Sequence, residues 1–185
     1  YYYSYYAEDG PEQFEENTHC GTSHEGHSAD GNRNPVGPGN RNMNVEIFTY
    51  RFALGCIGEW GRSRGSKEDI LEIFASVTNR LNQIYENEIG IRLVLINDTD
   101  RLIHTDPNND PYNIVFGTGG RVDGGALLGT NSSRFNSLIG NGAYDIGHVI
   151  SSGCADGLGG IAFLASACRN GDKGGGVTCW GGNSL

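Results

Sequence analysis

Two short apolar runs with an amphipathic stretch between them constrain this chain more than any other feature. "VEIFTYRFALGC" (Val45 to Cys56) alternates at first and then turns almost wholly apolar, as a central strand covered on both faces does. Gly55, Gly58 and Gly61 interrupt it. Ser66 and Asp69 then stand at capping-box spacing, although the box favours Glu or Gln at the second position. They introduce Ile70, Phe74, Val77, Leu81, Ile84 and Tyr85. Spacings of three and four put one apolar stripe on a helix of about six turns, ending near Glu88, with Gly90 as its stop. "IRLVLIND" (Ile91 to Asp98) follows at once as a buried strand. Strand, helix, strand is a βαβ unit, which predicts two parallel strands joined by a right-handed crossover.

The rest of the chain extends this unit. "RLIHT" (Arg101 to Thr105) reads as a short strand and "DPNNDP" (Asp106 to Pro111) as turns. A glycine-spaced region, Gly117 to Gly142, comes next. "YDIGHVIS" (Tyr144 to Ser151) is a third strand and "GLGGIAFLAS" (Gly157 to Ser166) a fourth, before a glycine-rich tail from Arg169 to Leu185. The fold class expected is α/β (α+β), with glycine-rich loops. Upstream, residues 1–16 open on five tyrosines in the first six positions and then turn acidic, and residues 17–44 are a polar linker without apolar periodicity. A boundary near Val45 leaves 45–185 as the folded domain.

Charge and composition exclude some classes. Acidic residues outnumber basic ones by 22 to 13, and no basic run interleaves with aromatics, so nucleic acid is not an expected partner. No stretch approaches the ~18 apolar residues of a membrane span. The first residue is Tyr1 rather than methionine, which leads to the expectation of a processed piece of a longer precursor. Cys20, Cys56, Cys154, Cys168 and Cys179 form no C-x-x-C pair and suit an exported, disulfide-bearing protein. Sequons at Asn97 and Asn131 are compatible with secretion to the extracellular space.

"HCGTSHEGH" (His19 to His27) gathers His19, Cys20, His24 and His27, residue types that bind zinc. Neighbours on one extended strand point to opposite faces, however, so a single ion would collect at most three of them, and a solvated linker is the simpler reading. "HEGH" is one residue short of H-E-x-x-H. The clusters "GTGGRVDGG" (Gly117 to Gly125) and "DKGGG" (Asp172 to Gly176) do not contain G-x-x-x-x-G-K-[ST], and flexible loops are the better reading. Asp98, Asp100, Asp106 and Asp110 offer hard oxygens to calcium, but without the EF-hand order they read as turn and capping residues. His104 and His148 read as hydrogen-bonded core residues. No G-x-S-x-G elbow supports a hydrolase triad.

Taken in order, "YRFALGCIGEW", "VTNRLNQIYENEIGIRLVLIND", "LIHTDPNNDPY" and "NGAYDIGHVISSGCADGLGGIA" resemble the reprolysin-like zinc metallopeptidases of the metzincin clan, particularly their bacterial-type members, from about Tyr50 to Val177. The resemblance implies a twisted mixed sheet with a long backing helix, the upper subdomain of such an enzyme. It also implies an antiparallel edge strand that pairs with the substrate backbone, at Gly159, Gly160, Ile161 and Ala162. In the family a helix bearing H-E-x-x-H-x-x-G-x-x-H comes next and binds zinc, whereas no such motif occurs in these 185 residues. Some latent metzincins place a Cys-Gly pair before the catalytic domain as an inhibitory zinc ligand, which makes Cys20 a candidate switch and residues 1–16 the end of a propeptide. Cys154, Cys168 and Cys179 flank the expected edge strand, so one disulfide is expected among them. In relatives the cysteine just after that strand bonds into the lower half of the domain, which would leave Cys168 without a partner.

Two functions follow as expectations. The first is a fragment of a secreted zinc metalloendopeptidase precursor, acting on peptide or protein substrates and completed by a C-terminal half. The second is a non-catalytic exported assembly protein that self-associates through a sheet edge.

Overall fold

Ser66 and Asp69 close a reciprocal cap in the computed structural model, which describes residues 19–22, 47–112 and 121–180. The Ser66 hydroxyl accepts from the Asp69 N–H at 3.2 Å, and the Asp69 carboxylate accepts from the Ser66 N–H at 2.8 Å. Aspartate therefore serves where glutamate is the commoner partner. The Ser66 N–H, and the Ser66 hydroxyl beside it, hold the Asp69 carboxyl below its ordinary range.

In chain order the elements are β1 (His19–Thr22), β2 (Phe48–Cys56), α1 (Gly58–Arg62), α2 (Lys67–Glu88), β3 (Ile91–Leu95), α3 (Gly124–Ile139), β4 (Ile146–Ser152), β5 (Leu158–Ala162) and β6 (Gly176–Trp180). The sheet order is β1-β5-β6-β4-β2-β3. β6, β4, β2 and β3 run parallel to one another, β5 is antiparallel to β6, and β1 is parallel to β5. The fold is the expected mixed α/β sheet with a long backing helix.

The two long helices, α2 and α3, take opposite faces. α2 buries Ile70, Phe74 and Thr78 and faces the side of the sheet that carries Phe52 and Leu54. On the other side Gly55 and Gly147 let Phe135 of α3 lie directly on the strands. A methyl group on Gly147 would sit 3.0 Å from Phe135 and 2.8 Å from the Gly174 Cα. Phe135 and Tyr144 meet edge to face there, 5.9 Å between centroids.

Several expectations are corrected. The second strand ends at Leu95 instead of reaching Asp98, and Asn97–Leu102 forms a 3-10 turn. Thr99 starts it by donating its hydroxyl to the Ile96 carbonyl at 2.6 Å. "RLIHT" supplies only a bridge, Cys56 to Ile103, rather than a strand. Part of the glycine-spaced region is α3, a 16-residue helix capped by Asp123, whose carboxylate accepts from Ala126 N–H. The glycine-rich tail contains β6, which enters the sheet between β4 and β5. Residues 19–22 lie within the expected linker and form a strand. Residues 1–16, Tyr1 to Tyr6 included, together with His24 and His27, lie outside the described residues.

Cys154 and Cys179 form a disulfide across 25 residues, tying the turn after β4 to β6. Cys168 is free and exposed, and Cys56 is free and buried. Burial pushes the Cys56 thiol up to about 12, which leaves it unreactive. The two sequons differ as well: Asn97 is exposed, whereas Asn131 is fully buried. The Asn131 amide nitrogen donates to the Gly174 carbonyl at 2.7 Å, so the folded chain leaves no room for a glycan there.

Candidate functional site

Gly159, Gly160, Ile161 and Ala162 all lie on β5, next to last in the sheet. Gly160 belongs there because a side chain would meet the Val177 carbonyl of β6 at 2.9 Å. The Phe163 N–H donates to Gly175 on the β6 side. Because backbone groups alternate along a strand, Gly160 and Ala162 turn theirs to the outer edge.

That edge is in use. His19, Cys20, Gly21 and Thr22 register with Leu158, Gly160, Ile161 and Ala162, with a bulge between His19 and Cys20. The structure thus brings the backbone of Cys20-Gly21 onto the strand expected to receive substrate. Four residues amid a polar stretch carry no local sign of this pairing. β6 did leave a sign, since "GVTCW" puts two β-branched residues and a tryptophan within five positions.

Beside α2, over β4 and β6, the sheet face forms an open apolar trough of about 450 Å³, lined by Leu54, Ile146, His148, Ile150, Leu81 and Trp180 among others. The arginine that follows α1, Arg64, sets its guanidinium 5.3 Å from the Trp180 ring and 5.2 Å from Trp60. The polar part of the trough floor is His148, whose Nε2 pairs with the Thr178 hydroxyl at 2.8 Å.

A family profile, Metallo-peptidase family M12B Reprolysin-like, matches residues 47–183. The chain belongs to the reprolysin-like metallopeptidases of family M12B. A search of curated proteins finds no match. Membership in M12B makes this a metallopeptidase-related domain of a hydrolase family that acts on peptide and protein substrates and normally depends on zinc. Among the described residues no helix is long and apolar enough to cross a membrane.

The described residues of this M12B chain do not fit zinc. Among them no three of His, Cys, Asp and Glu gather to hold an ion. His148 is committed to Thr178, and His104 lies edge-on to Tyr112 at 5.9 Å. The acidic candidates for calcium have local duties. Asp106 accepts from Asn108 and Asn109, Asp110 accepts from the Gly58 and Tyr112 N–H groups, and Asp98 faces Arg101 at 4.0 Å.

Burial lowers the His148 pKa to about 4, so the ring is neutral in the folded chain at neutral pH. Unfolded, the same ring takes a proton below about pH 6.5. Stability should therefore fall as pH drops from about 6.5 to 4, by at most about 3 kcal/mol from this group. Denaturant unfolding across that window should be flatter for His148→Gln than for the parent chain. Parallel slopes would assign the loss elsewhere, His104 being next because burial lowers it too.

Proposed function

We propose that this chain is a piece of the precursor of a secreted zinc metalloendopeptidase. It supplies the sheet, the backing helix and the substrate-binding strand, while the zinc ligands come from sequence beyond Leu185. Substrate lies along β5 as an added strand held by main-chain hydrogen bonds, with Gly159, Gly160, Ile161 and Ala162 as its binding residues. The observation that carries this reading is that the outer edge of β5 already accepts an extended segment, His19–Thr22.

In the same reading that segment is the latent occupant of the substrate edge. Residues 1–16 are the end of the propeptide, 17–44 connect it to the domain, and Cys20 is the inhibitory metal ligand. The apolar trough beside α2 suits the docking of a second helix, because such a face is costly to leave in water. The Cys154–Cys179 disulfide and the exposed Asn97 sequon support export.

The coding sequence past Leu185 tests the enzymatic part: it should encode H-E-x-x-H, and a stop codon directly after Leu185 would end this reading. The substrate edge is tested in the 185-residue chain. Cys20→Pro with Gly21→Pro should release the internal strand, after which a synthetic peptide of residues 15–24 should slow amide exchange at Gly160. Adding Ala162→Pro, which removes an outward N–H that β6 does not use, should weaken that peptide about tenfold or more. Exchange at Gly160 that ignores the peptide would rule out β5 as an acceptor.

A further inference from the structure

Among the described residues the sheet has a second edge, at β3, and its outward backbone groups belong to alternate residues. Gly90 O accepts from Phe48 N–H and Ile96 N–H donates to Phe52 O, so residues 90, 92, 94 and 96 face β2. Ile91, Leu93 and Leu95 therefore turn their N–H and C=O groups away from the sheet. Leu93 is the middle residue of this five-residue strand.

Asn82 of α2 holds both outward groups of Leu93. Its Oδ1 accepts from the Leu93 N–H at 2.7 Å, and its Nδ2 donates to the Leu93 C=O at 2.8 Å. This is the donor and acceptor pair that the backbone of a neighbouring strand would present. Arg92 adds a second barrier. Ile91 and Leu93 line the trough with α2, so alternation places the Arg92 side chain on the far face. Its guanidinium nevertheless reaches Glu86 of α2 through Nε at 2.6 Å and Nη2 at 3.0 Å, passing round the edge to do so.

We propose that Asn82 acts as a one-residue surrogate strand that closes the β3 edge to other chains, so that strand addition to this sheet is confined to the β5 side. A row of unpaired N–H and C=O groups is a template for association, and a side-chain amide on the central residue breaks that row. The closure of β3 stands on its own geometry, and only its consequence for β5 rests on the proposed function. The inference also argues against the assembly-protein expectation at this edge, because a polymer growing through β3 would first have to displace Asn82.

The test is the solution mass of the 185-residue chain without added peptide. Asn82→Ala should turn a chain of concentration-independent mass into one that associates as concentration rises, and should speed amide exchange at Leu93 about tenfold or more. Adding Val94→Lys puts a charge on an exposed edge position and should restore the parent mass. Asn82→Ala that stays folded at the parent mass at every concentration would overturn the proposal. Should Asn82→Ala fail to fold, amide exchange in the parent chain decides. A Leu93 N–H protected like the core strands is the expected result, and one that exchanges like an unpaired edge amide overturns it.

Discussion

Replacing Asn131 with aspartate should destabilise the chain by about 3–5 kcal/mol at neutral pH, because it puts an unpaired charge where two hydrogen bonds now meet. Asn131 is fully buried. Its carbonyl accepts from the Tyr112 hydroxyl at 3.0 Å, and its amide donates to the Gly174 carbonyl at 2.7 Å. Ser132 beside it accepts from the Gly174 N–H at 2.9 Å, so α3 grips the loop before β6 at both backbone polar groups of one residue. An aspartate keeps the shape and can still accept from Tyr112, but it turns an anionic oxygen toward a carbonyl. Burial would raise the carboxyl's pKa in the folded state above its unfolded value near 4. The folded variant would then bind a proton more readily than the unfolded one, so much of the loss should be recovered as pH falls from neutral toward about 4. Denaturant midpoints at several pH values measure this. A loss that is the same at all of them would mean that no buried charge is responsible.

Opening the Cys154–Cys179 disulfide should have the next largest effect. Closing a loop across 25 residues restricts the unfolded chain enough to stabilise the fold by about 3 kcal/mol. For a domain of this size that is a fall of about 10 °C in Tm. The bond also holds β6 against the turn before β5, so its loss should loosen β5 ahead of the α2 side of the sheet. The Cys154→Ala, Cys179→Ala chain tests this by calorimetry and by amide exchange in β5. Cys168→Ser is the control, since Cys168 is exposed and free and should leave Tm unchanged. A larger shift from Cys168→Ser than from the double variant would refute the assignment of the bond.

The legible part of the fold was the part held together locally. α2 announced itself by its cap and its stripe, because both are satisfied within the helix or by the nearest strands. α3 was harder to read. Leu127, Leu128, Phe135 and Leu138 have helical spacing, but Gly129, Asn131, Ser132 and Ser133 dilute the stripe, and the buried Asn131 looks like a surface residue until its partners are known. Gly147, inside an expected strand, and Gly174, inside a loop-like cluster, gave no sign of their contacts for a similar reason. Their lack of a side chain makes room for Phe135 and for Ser132, contacts that join segments far apart in sequence.

By itself the sequence determined the βαβ unit, the strands around His148 and Gly160, and the likeness to the reprolysin-like metallopeptidases. Each of these is written in a periodicity or an ordered set of motifs that neighbouring residues carry. Only the tertiary structure decided that β6 separates β4 from β5, that Cys154 pairs with Cys179, that Asn82 covers the β3 edge, and that Cys20-Gly21 lies along β5. Strand order and edge occupancy depend on pairings across tens of residues or more, and a backbone hydrogen bond leaves little trace in the side chains that flank it.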